Sequence, residues 1–252
     1  MVKISVITVV YNNEATVERA LCSVLEQNYP NIEYIVVDGG STDNTLSIIN
    51  KYSDKIDVII SEKDNGIYDA MNKGIENASG DVVGILNSDD TYYDKDSLNA
   101  VGTAFEKYDT DSVFADVIIV KENKQNSIVR YYRAKSFKLW HFRFGHMPGH
   151  ASFFVKREYF DKHGLYDTRF KISADFDLLL RYLFLNKLSY KYIPKTLVRM
   201  SLGGVSTQGF SSIKQMNKEL KQIFKKNNVN SSVIMIYMKY FAKVFQYFSR
   251  PT

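Results

Sequence analysis

Four β-branched runs, three of them leading into a helical pattern, occupy the first 90 residues, and this alternation confines the chain to one fold class. "KISVITVV" is a continuous apolar stretch of the kind found in strands covered on both faces. In "NEATVERALCSVLEQ" the residues Ala15, Val17, Ala20, Leu21, Val24 and Leu25 recur at helical spacing. "IEYIVVDGG", "IDVIISE" and "DVVGIL" predict three more strands. "STDNTLSIINKYS", with Ser41 as N-cap, and "GIYDAMNKGIENA" predict the helices between them. Strand–helix alternation at this pitch means a parallel sheet with crossover helices.

Beyond residue 90 the pattern becomes mixed. "SLNAVGTAFEKY" and "ADFDLLLRYLFLN" predict helices, "DSVFADVIIV", "SIVRYYRA" and "LSYKYIPKTLVRMSLGG" predict strands, and "PGHASFFVKREYFDKHGLYD" predicts a strand followed by a helix. The expected organisation is one domain at about 1–210, with halves at about 1–92 and 93–210, and a basic tail at 211–252. The tail holds eight Lys/Arg and one Glu, +7, whereas the other 210 residues hold 25 basic and 27 acidic residues, −2. One cysteine, Cys22, excludes an internal disulfide framework and a Cys-rich zinc site. The N-terminal apolar run is read as a first strand and not as a signal peptide, and no run of 18 or more apolar residues predicts a membrane-spanning helix.

In an open parallel sheet the ligand crevice lies beyond the carboxyl ends of the strands. Asp38, Asp64 and the pair Asp89–Asp90 fall at such ends. A single Asp there is usually a turn residue, but adjacent carboxylates need charge compensation, which a hard divalent cation shared with phosphate oxygens supplies. Gly39 and Gly40 of "DGGSTDNT" read either as an anion cradle or as a plain turn between strand and helix. The chain has neither G-x-G-x-x-G nor G-x-x-x-x-G-K-[ST], which excludes the usual dinucleotide and P-loop signatures. Asp175 and Asp177 of "KISADFDLLLR" open a helix, either as general-base candidates or as first-turn residues favoured by the helix dipole.

"SVITVVYNNEATVERALCSVLEQNYPNIEYIVVDGGSTDNT" together with "LNSDD" resembles the family 2 glycosyltransferases over about residues 3–205. The resemblance implies a GT-A fold, a Rossmann-like, mostly parallel α/β sheet flanked by helices, and an inverting transfer from a nucleotide-diphosphate sugar. It implies that Tyr11 and Asp38 hold the base, that Asp64 and Lys73 lie near the nucleotide, and that "NSDD" stands at the family's D-x-D type motif, with Asn87 in place of the first acid. Asp90 is then the expected ligand of Mn²⁺ or Mg²⁺, Asp89 a contact to ribose or metal, and Asp175 the base, with Asp177 in reserve. His150, Gly203 and Gly204 are expected on the acceptor side, the glycines in a lid loop "LGGVSTQG". The chain is similar to small bacterial enzymes of surface polysaccharide assembly, which implies UDP-glucose as donor and a lipid-diphosphate-linked saccharide as acceptor. The competing reading is a non-catalytic nucleotide-sugar-binding or scaffold subunit.

The tail stretch "SSVIMIYMKYFAKVFQYFSR" carries a narrow polar stripe, Lys239, Lys243, Gln246 and Arg250, on an otherwise apolar helix. It reads as packing on the body or a second copy in a homo-oligomer, or as an interfacial helix over 232–250 on an anionic membrane, which would place the protein at the cytoplasmic face of a bacterial inner membrane. One Arg in this stretch gives no basis for nucleic-acid binding.

Overall fold

The computed structural model describes residues 1–121, 124–202 and 210–238. Strands β1 (Ile4–Val10), β2 (Ile32–Asp38), β3 (Val58–Ser61) and β4 (Val82–Ile85) alternate with helices α1 (Val17–Leu25), α2 (Thr45–Asn50) and α3 (Ile67–Glu76). These four strands pair in parallel in the order β3-β2-β1-β4. All seven residues of β1 are buried, which is why its sequence lacks polar alternation. The helix expected from Ser41 begins instead at Thr45 with Asn44 as its cap residue, because the Ser41 N–H and hydroxyl both donate to Asp38.

The second half continues the same sheet with mixed directions. It contains β5 (Thr91–Tyr92), α4 (Ser97–Lys107), β6 (Ser112–Lys121), β7 (Lys124–Tyr132), β8 (Phe154–Lys156), α5 (Glu158–His163), α6 (Ala174–Leu179), β9 (Tyr190–Ser201) and α7 (Phe210–Lys226). A 3-10 segment, Leu139–Phe144, follows β7, and a π-helical turn, Leu180–Leu185, extends α6. β8 joins the halves, pairing antiparallel with β4 on one side and β6 on the other. The β4–β8 approach requires Gly84, since a Cβ there would lie 2.1 Å from the Phe154 ring. Along the other edge of β6 runs β9, parallel to it.

Helices cover both faces. Val17, Leu21 and Val24 of α1 and Leu98 and Val101 of α4 share one core. Tyr68, Met71 and Ile75 of α3, Phe176 and Leu179 of α6, and Leu220, Ile223 and Phe224 of α7 share the other. The expected boundary at residue 210 is therefore not a packing boundary: α7 belongs to the body. The lysine stripe expected at 239–250 and the glycines Gly203 and Gly204 lie outside the described residues.

Asp177, the reserve base and acceptor-side candidate, is corrected by the structure. It is fully buried and pairs with Arg181 at 2.8 Å and Lys226 at 3.1 Å, while Asn227 donates to it at 2.9 Å. It joins α6 to α7 and does not line the cleft. Removing one partner of a buried ion pair strands the other, at a cost of about 3 kcal/mol. Asp177→Ala is expected to lower stability by about that amount in chemical denaturation while leaving nucleotide binding intact. Loss of nucleotide affinity in the folded variant would contradict this structural assignment.

Candidate active site

The strand order reverses about β1, whose neighbours β2 and β4 connect to opposite directions of the chain, and such a switch point opens a crevice at the carboxyl ends of the strands. A cleft of about 690 Å³ lies there, within the size range of small-molecule sites. Tyr11 after β1, Asp64 before α3 and Asn87–Asp90 after β4 line it. Tyr11 is 60% exposed, with its ring available for stacking. Asp64 accepts the Gly66 N–H at 2.8 Å. Gly39 permits this carboxylate to approach, since a Cβ there would lie 2.2 Å from Asp64 Oδ2.

Asp90 is 1% exposed. Its Oδ1 accepts the Ser201 N–H at 3.1 Å, whereas its Oδ2 is buried without a hydrogen-bond partner, as is Asn87 Oδ1. Burial first, and the Asp89 charge second, hold the Asp90 carboxyl well above the usual carboxylate range. Buried polar oxygens are almost always satisfied. Two orphaned oxygens on one strand end therefore match the hard oxygen donors that Mg²⁺ or Mn²⁺ prefers. Among the described residues no cluster of three or more His, Cys, Asp or Glu could hold a metal alone. Such a site would need ligand oxygens from a bound diphosphate to complete the shell.

Asp175, in the first turn of α6, also lines the cleft. Burial pushes its carboxyl up to about 6, against the stabilising Phe176 N–H at 2.8 Å. The Tyr68 hydroxyl lies 3.4 Å from the same oxygen and donates to Ile172 O at 2.7 Å. Tyr68 stacks on Tyr166, whose hydroxyl meets His150 Nε2 at 2.6 Å. Burial lowers His150 to about 4, so a neutral imidazole stands in the wall.

Two expected nucleotide contacts are not brought to the cleft. Asp38 is fully buried and accepts hydrogen bonds from Ser41 and from the Ser61 hydroxyl at 2.7 Å. It organises the loop after β2. Lys73 pairs with Glu62 at 2.7 Å and donates to Lys63 O at 3.1 Å, outside the cleft lining.

The sequence reading missed Glu219 of α7. It is 1% exposed, and its carboxylate accepts the backbone N–H groups of Lys171, Ile172 and Ser173 at 2.9, 3.0 and 2.9 Å. Gln215 steadies it from one turn away, at 2.8 Å. This fixes the segment entering α6 and hence the place of Asp175. The only signal was a lone Glu in a Lys-rich helix, which reads as a solvated charge.

A cleft at the carboxyl ends of a mostly parallel sheet is the architecture of an α/β enzyme, and comparisons with known proteins narrow the class. The pattern defining Glycosyl transferase family 2 matches residues 5–164, and the chain belongs to that family. It is 32% identical over 181 residues to a PGL/p-HBAD biosynthesis glycosyltransferase of Mycobacterium bovis, covering 70% of this chain and 68% of that protein. To an uncharacterized glycosyltransferase of Rickettsia typhi it is 30% identical over 186 residues, covering 71% and 58%. S. aureus TarS 1–349 superposes with TM-score 0.66 at 19% identity, covering 88% of this chain and 65% of that one. A mannosyltransferase of Pyrobaculum calidifontis, solved with GDP-Man and Mn²⁺, superposes with TM-score 0.64 at 21% identity, covering 92% and 65%. These likenesses confirm the expected GT-A type fold.

The raised value at Asp175 has a sign for stability. An unfolded Asp ionises near pH ~3.9, and the folded group at about 6. The native state thus keeps a proton that the unfolded chain releases, and stability falls as pH rises between those values. Asp175→Asn is expected to raise the unfolding temperature relative to wild type at pH 7.5 and to give no such gain at pH 4. A gain independent of pH would refute the burial argument.

Proposed function

We propose that this chain is an inverting hexosyltransferase that takes the sugar from a nucleoside diphosphate sugar, UDP-glucose first, and places it on a lipid-diphosphate-linked saccharide in bacterial surface polysaccharide synthesis. The observation that carries this reading is one cleft holding two unlike acidic sites: the orphaned oxygens at Asn87 and Asp90, and the elevated carboxyl of Asp175. The solved complexes of similar fold with UDP-GlcNAc and with GDP-Man support the donor class.

The acceptor hydroxyl attacks the anomeric carbon from the Asp175 side. The carbon–oxygen bond to the β-phosphate breaks and its electron pair leaves with the nucleoside diphosphate. Asp175 takes the hydroxyl proton, while the Phe176 N–H and the Tyr68 hydroxyl orient its oxygen. Tyr11 stacks on the base, and Asp64 sits at the nucleotide end of the cleft. A divalent cation held by Asp90 and Asp89 would supply charge neutralisation for the departing diphosphate. Ser201 holds the Asp90 carboxylate in place through its N–H.

A screen of nucleotide sugars for acceptor-independent hydrolysis tests the reading. Activity on the preferred donor is expected to fall as pH drops through about 6, where Asp175 protonates. Asp175→Asn is expected to bind UDP normally and turn over at least ~100-fold slower. Asp90→Ala is expected to abolish the Mn²⁺-dependent gain in UDP affinity measured by calorimetry. Undiminished turnover in both folded variants would overturn the proposal.

Membrane contact at the inner face belongs to the same reading. Among the described residues no helix is long and apolar enough to cross a membrane. The helix at 233–238 buries Ile236 but exposes Val233, Ile234, Tyr237 and Met238, with Ile234 75% exposed. Its start is tied to the 3-10 segment by Ser231 donating to Arg143 O at 2.6 Å, and that segment exposes Trp140. Exposed apolar side chains beside basic residues suit an anionic lipid interface. Ile234→Asp combined with Trp140→Ala is expected to reduce co-sedimentation with phosphatidylglycerol vesicles at least tenfold without changing UDP affinity. Unchanged sedimentation would refute membrane contact through this face.

A further inference from the structure

The acceptor half of the cleft has an apolar floor with Arg130 built into it, the other cation of the lining being the exposed Lys171. Strand registers place Met200 of β9, Ile119 of β6 and Arg130 of β7 in one row across the sheet. The next row holds Val198, Val117 and Tyr132. Side chains alternate along strands. Val117, Ile119, Arg130 and Tyr132 accordingly line the cleft, while Ile118, Val120 and Tyr131 form a separate cluster. Arg130 thus points into the site among apolar neighbours. Its Nε is buried without a hydrogen-bond partner, and no carboxylate pairs with its guanidinium among the described residues.

A buried guanidinium N–H without an acceptor is costly. The planar fork of Arg binds phosphate and carboxylate in bidentate fashion. The donor's diphosphate is poorly placed to provide that partner. Ser201, which holds Asp90, follows Met200 on β9, and Arg130 lies two strands across, roughly 10 Å away at the usual strand spacing. The four carboxylates of the cleft lining, Asp64, Asp89, Asp90 and Asp175, do not form ion pairs with Arg130 among the described residues.

We infer that the acceptor half of the cleft contains an oxyanion subsite built on Arg130, which takes a phosphate group carried by the acceptor. The inference rests on the reading of this cleft as a transferase site with separate donor and acceptor halves. It deepens that reading by assigning recognition of the acceptor's charge to one side chain. Ile119 and Val117 on the neighbouring strand, and Met200 one strand further on, then pack against the apolar chain attached to that phosphate.

The test is a calorimetric titration of the full-length protein, saturated with UDP, by hexyl phosphate, hexanoate and hexanol. Hexyl phosphate is expected to bind one-to-one, and hexanol not measurably. Arg130→Gln is expected to weaken hexyl phosphate at least tenfold and to leave the UDP Kd within threefold of wild type. Arg130→Met keeps the apolar stem and is the companion variant should the Gln protein fail to fold. Hexanoate binding as tightly as hexyl phosphate would support the oxyanion subsite and move its source from a phosphate to an acidic sugar. Absence of one-to-one hexyl phosphate binding, or equal binding by the Arg130 variants, overturns the inference. Weakening of UDP in those variants also overturns it, by assigning Arg130 to the donor diphosphate. If UDP itself does not bind, the transferase reading fails, and titration of the UDP-free protein still reads the Arg130 subsite.

Discussion

The structure depends on β1 lying between β2 and β4 with both faces covered. A strand so enclosed can offer ligands only its carboxyl end, and the loops on either side of it must diverge because the strands they follow run to opposite edges. Tyr11, Asp64 and Asn87–Asp90 come from three different strand ends yet line one cleft. The loops that carry Tyr11 and Asp64 turn through left-handed backbone at Asn12, φ 46°, and Gly66, φ 119°. The cores on the two faces hold the sheet between α1 and α4 on one side and α3, α6 and α7 on the other.

Electrostatics divides the cleft. At Asp90 the carboxylate is buried beside a like charge and lacks a partner for one oxygen, so the site favours a positive ligand. At Asp175 desolvation is the leading cause, offset by the Phe176 N–H and the Tyr68 hydroxyl and with only a small contribution from the Glu219 charge, and the carboxyl is raised to about 6, where it is ionised at neutral pH yet retains affinity for a proton. The same desolvation thus raises both carboxyls, and the difference lies in what stands beside each group. His150, lowered to about 4 and bonded to Tyr166, remains a neutral hydrogen-bonding wall at the same pH.

The parallel half of the fold was legible because its strands are buried on both faces and write that burial as unbroken β-branched runs. The carboxylates at the end of β4 were legible because adjacent like charges demand a reason. Asp175 and Asp177 could not be separated by spacing, since residues two apart on a helix point about 200° away from each other and the sequence does not say which faces the cleft. The packing of α7 decided it, by placing Lys226 and Asn227 on Asp177. The hydrogen bonds that bury Asp38 were not legible, because its partners Ser41 and Ser61 read as a helix cap and a strand residue. Arg130 gave no signal in "SIVRYYRA", which reads only as a strand, because two arginines and two tyrosines in a short strand do not show which side chain faces a cleft.

Glu219 also sets an order in time. A chain emerging from the ribosome presents β1 to β4 first, and its N-terminal parts can begin to fold before the rest is made. The carboxylate that holds residues 171–173 follows them by more than forty positions. Until it emerges, the segment carrying Asp175 has no acceptor for three of its amide protons. A nascent chain therefore completes β1 to β4 well before the carboxylate that fixes the Asp175 segment has been made.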